Sequence, residues 1–308
     1  MPGSGNFRPF REVLAELDAA FAQAKRPTRI DACPCCTTTE EVAVLLSKPR
    51  KMLGADDLQH YATSSMTTMG SAADLRYFTP RILELCHTGA LNWPDIEIVY
   101  DHLRRADWKS WPEAGVIAEL LDALWDDVLT EYPAFEDPAA LLCALGRAAD
   151  SVAPYLTSWS RLETSAAIHH LRDFLIDDVA LRHGALVPTN AFWDPNGNPH
   201  SEVVRWLNSK GTRQAIDRAF TRTTDAELLE LLAESHDVLT VVDADSRPKP
   251  GRPSVRADPE AGDASRRPTH ADDRPTNNDL RQEADLRRAT GGSAALNVEA
   301  HGLPTPWV

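Results

Sequence analysis

A chain of 308 residues with 43% apolar side chains is long enough to bury a sizeable core, so a globular protein is expected. Its net charge of −14 argues against a general nucleic-acid binder, because phosphate contacts demand a surplus of Lys and Arg. The opening residues pass straight into an amphipathic segment carrying acids, and no run approaches the ~18 apolar residues of a membrane span, so a cytoplasmic chain bound to neither membrane nor nucleic acid is expected.

The first helix is expected over residues 10–24, with Val13, Leu14, Leu17, Ala20 and Phe21 on one face. A loop, PTRIDACPCC, leads to a second helix beginning after Thr38 or Thr39. There a hydroxyl can cap the free N–H groups, and Glu40 and Glu41 favour the positive end of the helix dipole. A third helix over residues 55–63 runs through the polar turn SSMTTMGS to Ser71. With Asp74 three residues on, Ser71 caps a fourth helix, which Pro80 is expected to bend or restart and Gly89 to end. Pro94 opens the next, with Ile96, Val99, Tyr100 and Leu103 as its stripe.

Residues 108–132 carry the strongest periodicity. Val116, Ile117, Leu120, Leu121, Leu124, Trp125, Val128 and Leu129 recur as adjacent pairs every four residues, giving one broad apolar stripe with acids between. Pro112 suits a first helical position and Pro133 stops the next turn, so a central core helix of roughly five turns is expected. Further helices follow over residues 138–152, 162–181 (stopped by Gly184), 201–208, 212–221 and 225–239. In the turn-rich segment ALVPTNAFWDPNGNPH, the pieces ALV and AFW are the only strand candidates.

From residue 243 the composition turns to Pro, Gly, Arg and Asp without apolar periodicity, so residues 243–308 read as a disordered tail, ending in a candidate docking peptide, LPTPWV. Residues 8–242 read as one all-α domain, either an irregular multi-helix bundle or a HEAT-like helical stack. Most of the eight Trp residues are expected as core or inter-helix spacers.

Several phrases occur together: CPCC at Cys33 to Cys36, the turn SMTTMGSAADLRYFTPRILEL, WKSWPEAGVIAELLDALWDDVL, APYLTSW, IHHLRDFL, and FW followed by VVRWL. As a set they resemble a group of bacterial all-helical proteins with a Cys-Pro-x-Cys-like opening and a Trp-rich middle, which carry no known activity. The resemblance covers residues 8–240. It implies one helical domain over that span and transfers no catalytic residue.

The sharpest chemical feature is the cysteine cluster. Five cysteines without a secretory leader fit reduced thiols or metal ligands better than a disulfide framework. Cys33 and Cys36 have C-x-x-C spacing, with Cys35 between them and a helix start just after, where the dipole would favour thiolate. A structural zinc needs four ligands, and Cys86 with His87 at the end of the Pro80 helix are the expected completing pair, with His60 the alternative. A thioredoxin-like reading is weaker, because that motif follows a strand in an α/β domain. The bland alternative is that these cysteines are small buried or exposed side chains without a special role.

His170, Asp173 and Asp177 share one helix face and form a second candidate metal set, against the plainer reading of a solvated flank. Asp194, Asn196 and Asn198 imitate a calcium loop, but Gly197 falls at its fourth place instead of the sixth and Arg205 occupies the place that should supply the bidentate Glu, so a turn is expected. No phosphate-binding loop, dinucleotide fingerprint or nucleophile elbow is present. The expected function is that of a helical protein–protein interaction or adaptor protein with a protein partner, carrying a structural zinc at the CPCC loop. The alternative is a metal-dependent enzyme built on the cysteine cluster or on the His170 face.

Overall fold

Caps and carbonyl partners decide where the helices begin and end. The computed structural model describes residues 8–245, with side chains through residue 241; the expected tail beyond residue 245 and its docking peptide lie outside the described residues. Helix α1 (Phe10–Ala20) buries Phe10, Val13 and Leu17. It ends four residues short of its apolar pattern, although Phe21 and Ala24 remain buried. The buried Arg50 supplies a reason, since it donates to the carbonyls of Asp18 (2.8 Å) and Phe21 (3.2 Å), which another helical turn would otherwise claim.

Helix α2 (Thr39–Ser47) starts as expected: Thr38 Oγ1 accepts from the Glu41 N–H, and the Glu41 carboxylate accepts from the Thr38 N–H at 2.7 Å. After α3 (Ala55–Ser64), the same reciprocal pair formed by Ser71 and Asp74 opens α4 (Ala72–His87). Pro80 does not restart α4 as a second helix. It lies within the helix and is buried, as are Tyr77, Phe78, Ile82 and Leu83, and Thr79 Oγ1 turns back to the Leu75 carbonyl at 2.8 Å. Apolar burial on both sides of the ring outweighs the missing N–H there. Gly89, at φ +69°, ends it in the left-handed conformation expected.

Helix α5 (Ile96–Arg105) precedes the central one, α6 (Ala114–Val128), which is shorter than expected because its first residues are held in turns. Trp108 to Ser110 form a single 3₁₀ turn, with the Trp108 and Trp111 indoles donating to the carbonyls of Ala148 (2.9 Å) and Ala106 (3.2 Å). Pro112 therefore lies ahead of the helix. From α6, Ile117, Leu120, Leu121, Leu124, Trp125 and Val128 are buried, as the stripe requires.

Helices α7 (Pro138–Ala148), α8 (Ala153–Trp159) and α9 (Ser165–Asp177) follow, with Pro154 in the first turn of α8. The chain then forms a hairpin, β1 (Val179–Arg182) against β2 (Ala185–Pro188), pairing Val179 with Pro188 and Arg182 with Ala185. His183 (φ 51°) and Gly184 (φ 77°) make its two-residue turn. Only the end of the helix expected through residue 181 is thus replaced by a strand, and Gly184 turns the hairpin instead of stopping a helix. ALV is a strand as expected; AFW is not.

Helices α10 (Asn198–Leu207), α11 (Lys210–Arg222) and α12 (Ala226–Asp245) complete the described chain. The main packing pairs are α1 with α6, α5 with α7, and α9 with α12. Each pair skips elements in sequence, so the helices form an all-α arrangement held by non-adjacent partners. Trp125, Trp159 and Trp206 line up between helices with ring centroids 5.4 and 5.6 Å apart, and all three indole N–H groups find acceptors. Trp93, by contrast, is exposed. No helix among the described residues is long and apolar enough to cross a membrane.

Candidate metal centre

The loop that carries CPCC is held at its base by backbone bonds to the turn after α3. Ala32 and Met69 form an antiparallel bridge, Cys33 N–H donates to the Thr68 carbonyl at 2.8 Å, and Gly70 N–H donates to the Asp31 carbonyl at 2.7 Å. Gly70 sits at φ +72°, and a Cβ there would lie 2.9 Å from the Tyr61 hydroxyl, so this turn needs a glycine. Ser65, at the start of the turn, meets His102 of α5, whose Nδ1 also lies 3.0 Å from the Ala62 carbonyl. A carbonyl only accepts, so Nδ1 carries the proton; burial holds the ring below its usual pKa and hence neutral. The turn is thereby fixed to two helices.

Beyond that base the chain reverses tightly, with the N–H groups of Cys36 and Thr37 both donating to the Cys33 carbonyl at 3.1 Å. The reversal brings three thiols together. Cys33 Sγ lies 2.6 Å from Cys35 Sγ, which in turn lies 3.3 Å from Cys36 Sγ. Among the described residues these form the one set of three or more His, Cys, Asp or Glu side chains whose ligand atoms all lie within 4.8 Å of one another. Cys33 is half-buried, while Cys35 and Cys36 are exposed. Such a group can hold a metal ion, because thiolates are strong ligands for soft cations.

The electrostatics of the loop are internal to it. Cys33 is held below the ordinary thiol range, first by the hydrogen bond from the Cys35 thiol and then by the Cys35 N–H. Cys35 is pushed up to about 11 by its two neighbouring thiols, Cys33 first and then Cys36. The N-terminus of α2 is already occupied by Thr38 and by the Glu41 carboxylate, which also pairs with His60 Nδ1 at 3.0 Å.

The other expected ligands lie elsewhere. Cys86 is buried in α4 and pushed up to about 12 by desolvation, with the Glu136 charge adding to it. His87, with a fully buried side chain, has both nitrogens engaged: Nδ1 with Glu136 Oε1 at 2.7 Å and Nε2 with the Tyr100 hydroxyl at 2.9 Å. Neither joins the three-thiol group, and nor does His60. On α9, His170 Nε2 bonds to the Glu131 carbonyl (2.9 Å), Asp173 accepts from the Tyr132 hydroxyl (2.8 Å) and pairs with Arg172, and Asp177 is exposed. These three do not converge. The residues around Asp194 form the expected turn, with Asp194 accepting from Asn196 N–H and Gly197 N–H.

No family model, curated protein or solved structure matches this chain. Its site is therefore read from its own residues. Cys35 is the candidate ligand that spacing alone passed over: a C-x-x-C template selects the outer pair, whereas the unbroken phrase C-P-C-C already places a third sulfur within the same turn.

Proposed function

We propose that the chain is a helical interaction protein that carries a zinc ion on the Cys33, Cys35 and Cys36 thiolates, presented on a loop at the surface of the bundle. The observation behind this reading is the convergence of the three sulfurs on an anchored, solvent-facing loop. Three thiolates leave one position of a tetrahedral zinc unfilled, and a side chain from a protein partner could complete it. The same open position is what favours the second reading, a metal-dependent enzyme, in which water would occupy it.

The test is metal content by mass spectrometry on the reduced full-length chain. One zinc per chain, lost in Cys33→Ser, Cys35→Ser and Cys36→Ser but kept in Cys86→Ser, supports the site; no metal in the wild type after zinc reconstitution overturns it. A histidine-bearing peptide probe that adds a nitrogen ligand, followed by cobalt-substituted spectroscopy, then tests for an open coordination position. An unchanged cobalt spectrum would count against completion by a partner.

A further inference from the structure

The sulfurs of Cys33 and Cys35 are closer to each other than metal binding requires. At 2.6 Å they stand well under an ångström from the roughly 2.0 Å length of a disulfide bond. Cys36 is a poorer partner for Cys35, because adjacent residues hold their Cα atoms about 3.8 Å apart, below the 4.4 Å minimum usual for a disulfide. Cys86 and Cys143 are buried in the helical core and shielded from solvent reagents. Cys33 and Cys35 thus form the pair placed to bond, in a loop open to solvent.

We infer that Cys33 and Cys35 form a reversible disulfide with low-molecular-weight disulfides as oxidant, making this loop a thiol–disulfide switch on its own metal site. In the first step the thiolate of one cysteine attacks a sulfur of the external disulfide R–S–S–R, forming a mixed disulfide and releasing R–SH. The second cysteine then attacks its neighbour's sulfur, and another R–SH leaves. Two cysteine thiols are oxidised by two electrons, the external disulfide is reduced by the same two, and both cysteine protons end on the departing thiols. Oxidation stays local, because the base of the loop is held by backbone bonds that no sulfur takes part in: Ala32 to Met69, Cys33 to Thr68 and Asp31 to Gly70.

The consequence for the metal follows from ligand number. Disulfide formation removes two of the three thiolates, and Cys36 alone cannot retain an ion. This consequence rests on the metal reading; the disulfide itself does not.

The reduced full-length protein, metal-free in one sample and zinc-loaded in the other, is treated with oxidised glutathione and followed by intact mass, peptide mapping and a zinc-sensitive dye. The expected result is loss of two hydrogens in both samples, a Cys33–Cys35 link in the peptide map, reversal by dithiothreitol, and zinc release in step with oxidation. Cys36→Ser should still form the link, and Cys35→Ser should accumulate the glutathione adduct. A wild type that stops at the adduct, or a link mapped to Cys33–Cys36, to Cys35–Cys36 or between chains, overturns the inference. A disulfide in the metal-free sample with no zinc bound in the other would sink the metal reading alone, whereas zinc bound without any disulfide would sink the switch alone.

Discussion

The Cys33–Cys36 loop and the Cys86–His87 end of α4 offer the same kinds of side chain, and the fold uses them in opposite ways. In the loop, sulfurs face solvent and one another, and Cys33 is shifted toward thiolate by a neighbouring S–H and N–H. At the end of α4, desolvation pushes the Cys86 thiol far from ionisation, and His87 is locked between Glu136 and Tyr100 in a buried hydrogen-bonded chain. A cysteine or histidine gains reactivity from exposure and a free partner position, and gains structural value from losing both. Residue type and spacing do not separate these outcomes.

Thiol labelling should separate them most sharply. In the native, metal-free protein Cys33, Cys35 and Cys36 should alkylate readily, while Cys86 and Cys143 should react about a thousandfold more slowly, since they must wait for the core to open. Peptide mapping after timed iodoacetamide exposure would show it; rapid native labelling of Cys86 would break the comparison. The pH dependence has a defined sign. As pH rises Cys33 should ionise below the ordinary thiol range and Cys35 only near 11, with Cys86 later still. A single thiolate step at the ordinary value, by ultraviolet absorbance, would contradict this.

Stability should divide the regions the other way. His87→Ala removes the partner of a buried hydroxyl and a carboxylate and opens a cavity, so about 3 kcal/mol of unfolding free energy should be lost in denaturant titration, with metal content unchanged. Gly70→Ala forces a side chain into a positive-φ position against Tyr61 and should cost about 1–2 kcal/mol while loosening the loop's base. The smallest effect belongs to the loop sulfurs: Cys33→Ser and Cys36→Ser in metal-free protein should leave the denaturation midpoint within experimental error. A large shift there would show the thiols to be structural after all.

Most helix starts were legible because they rest on short-range chemistry. Thr38 with Glu41 and Ser71 with Asp74 are pairs three residues apart, and the α6 stripe repeats every turn. What escaped depended on distant partners or on a competing local signal. Arg50 ends α1 from 32 residues beyond Asp18, core burial carries α4 through Pro80, and the indoles of Trp108 and Trp111 hold back the start of α6. The β1–β2 hairpin was hidden because Val179–Leu181 continues an apolar helical rhythm, and only the His183-Gly184 turn betrays it. The site was half legible: the loop was visible, but Cys86 and His87 were joined to it by residue type across a gap that the fold does not close.

That all three sulfurs lie within a stretch of four residues has a consequence for the order of events during synthesis. A site assembled from distant helices must wait for the bundle, but this one is complete in sequence once Cys36 has cleared the ribosome, more than two hundred residues before the chain ends. On the proposed metal reading, the nascent segment should gather an ion before α4 exists, and the unfolded chain should retain some of the same affinity. Metal binding should therefore raise the melting temperature by less than its affinity would suggest, because both sides of the folding equilibrium share the ligand.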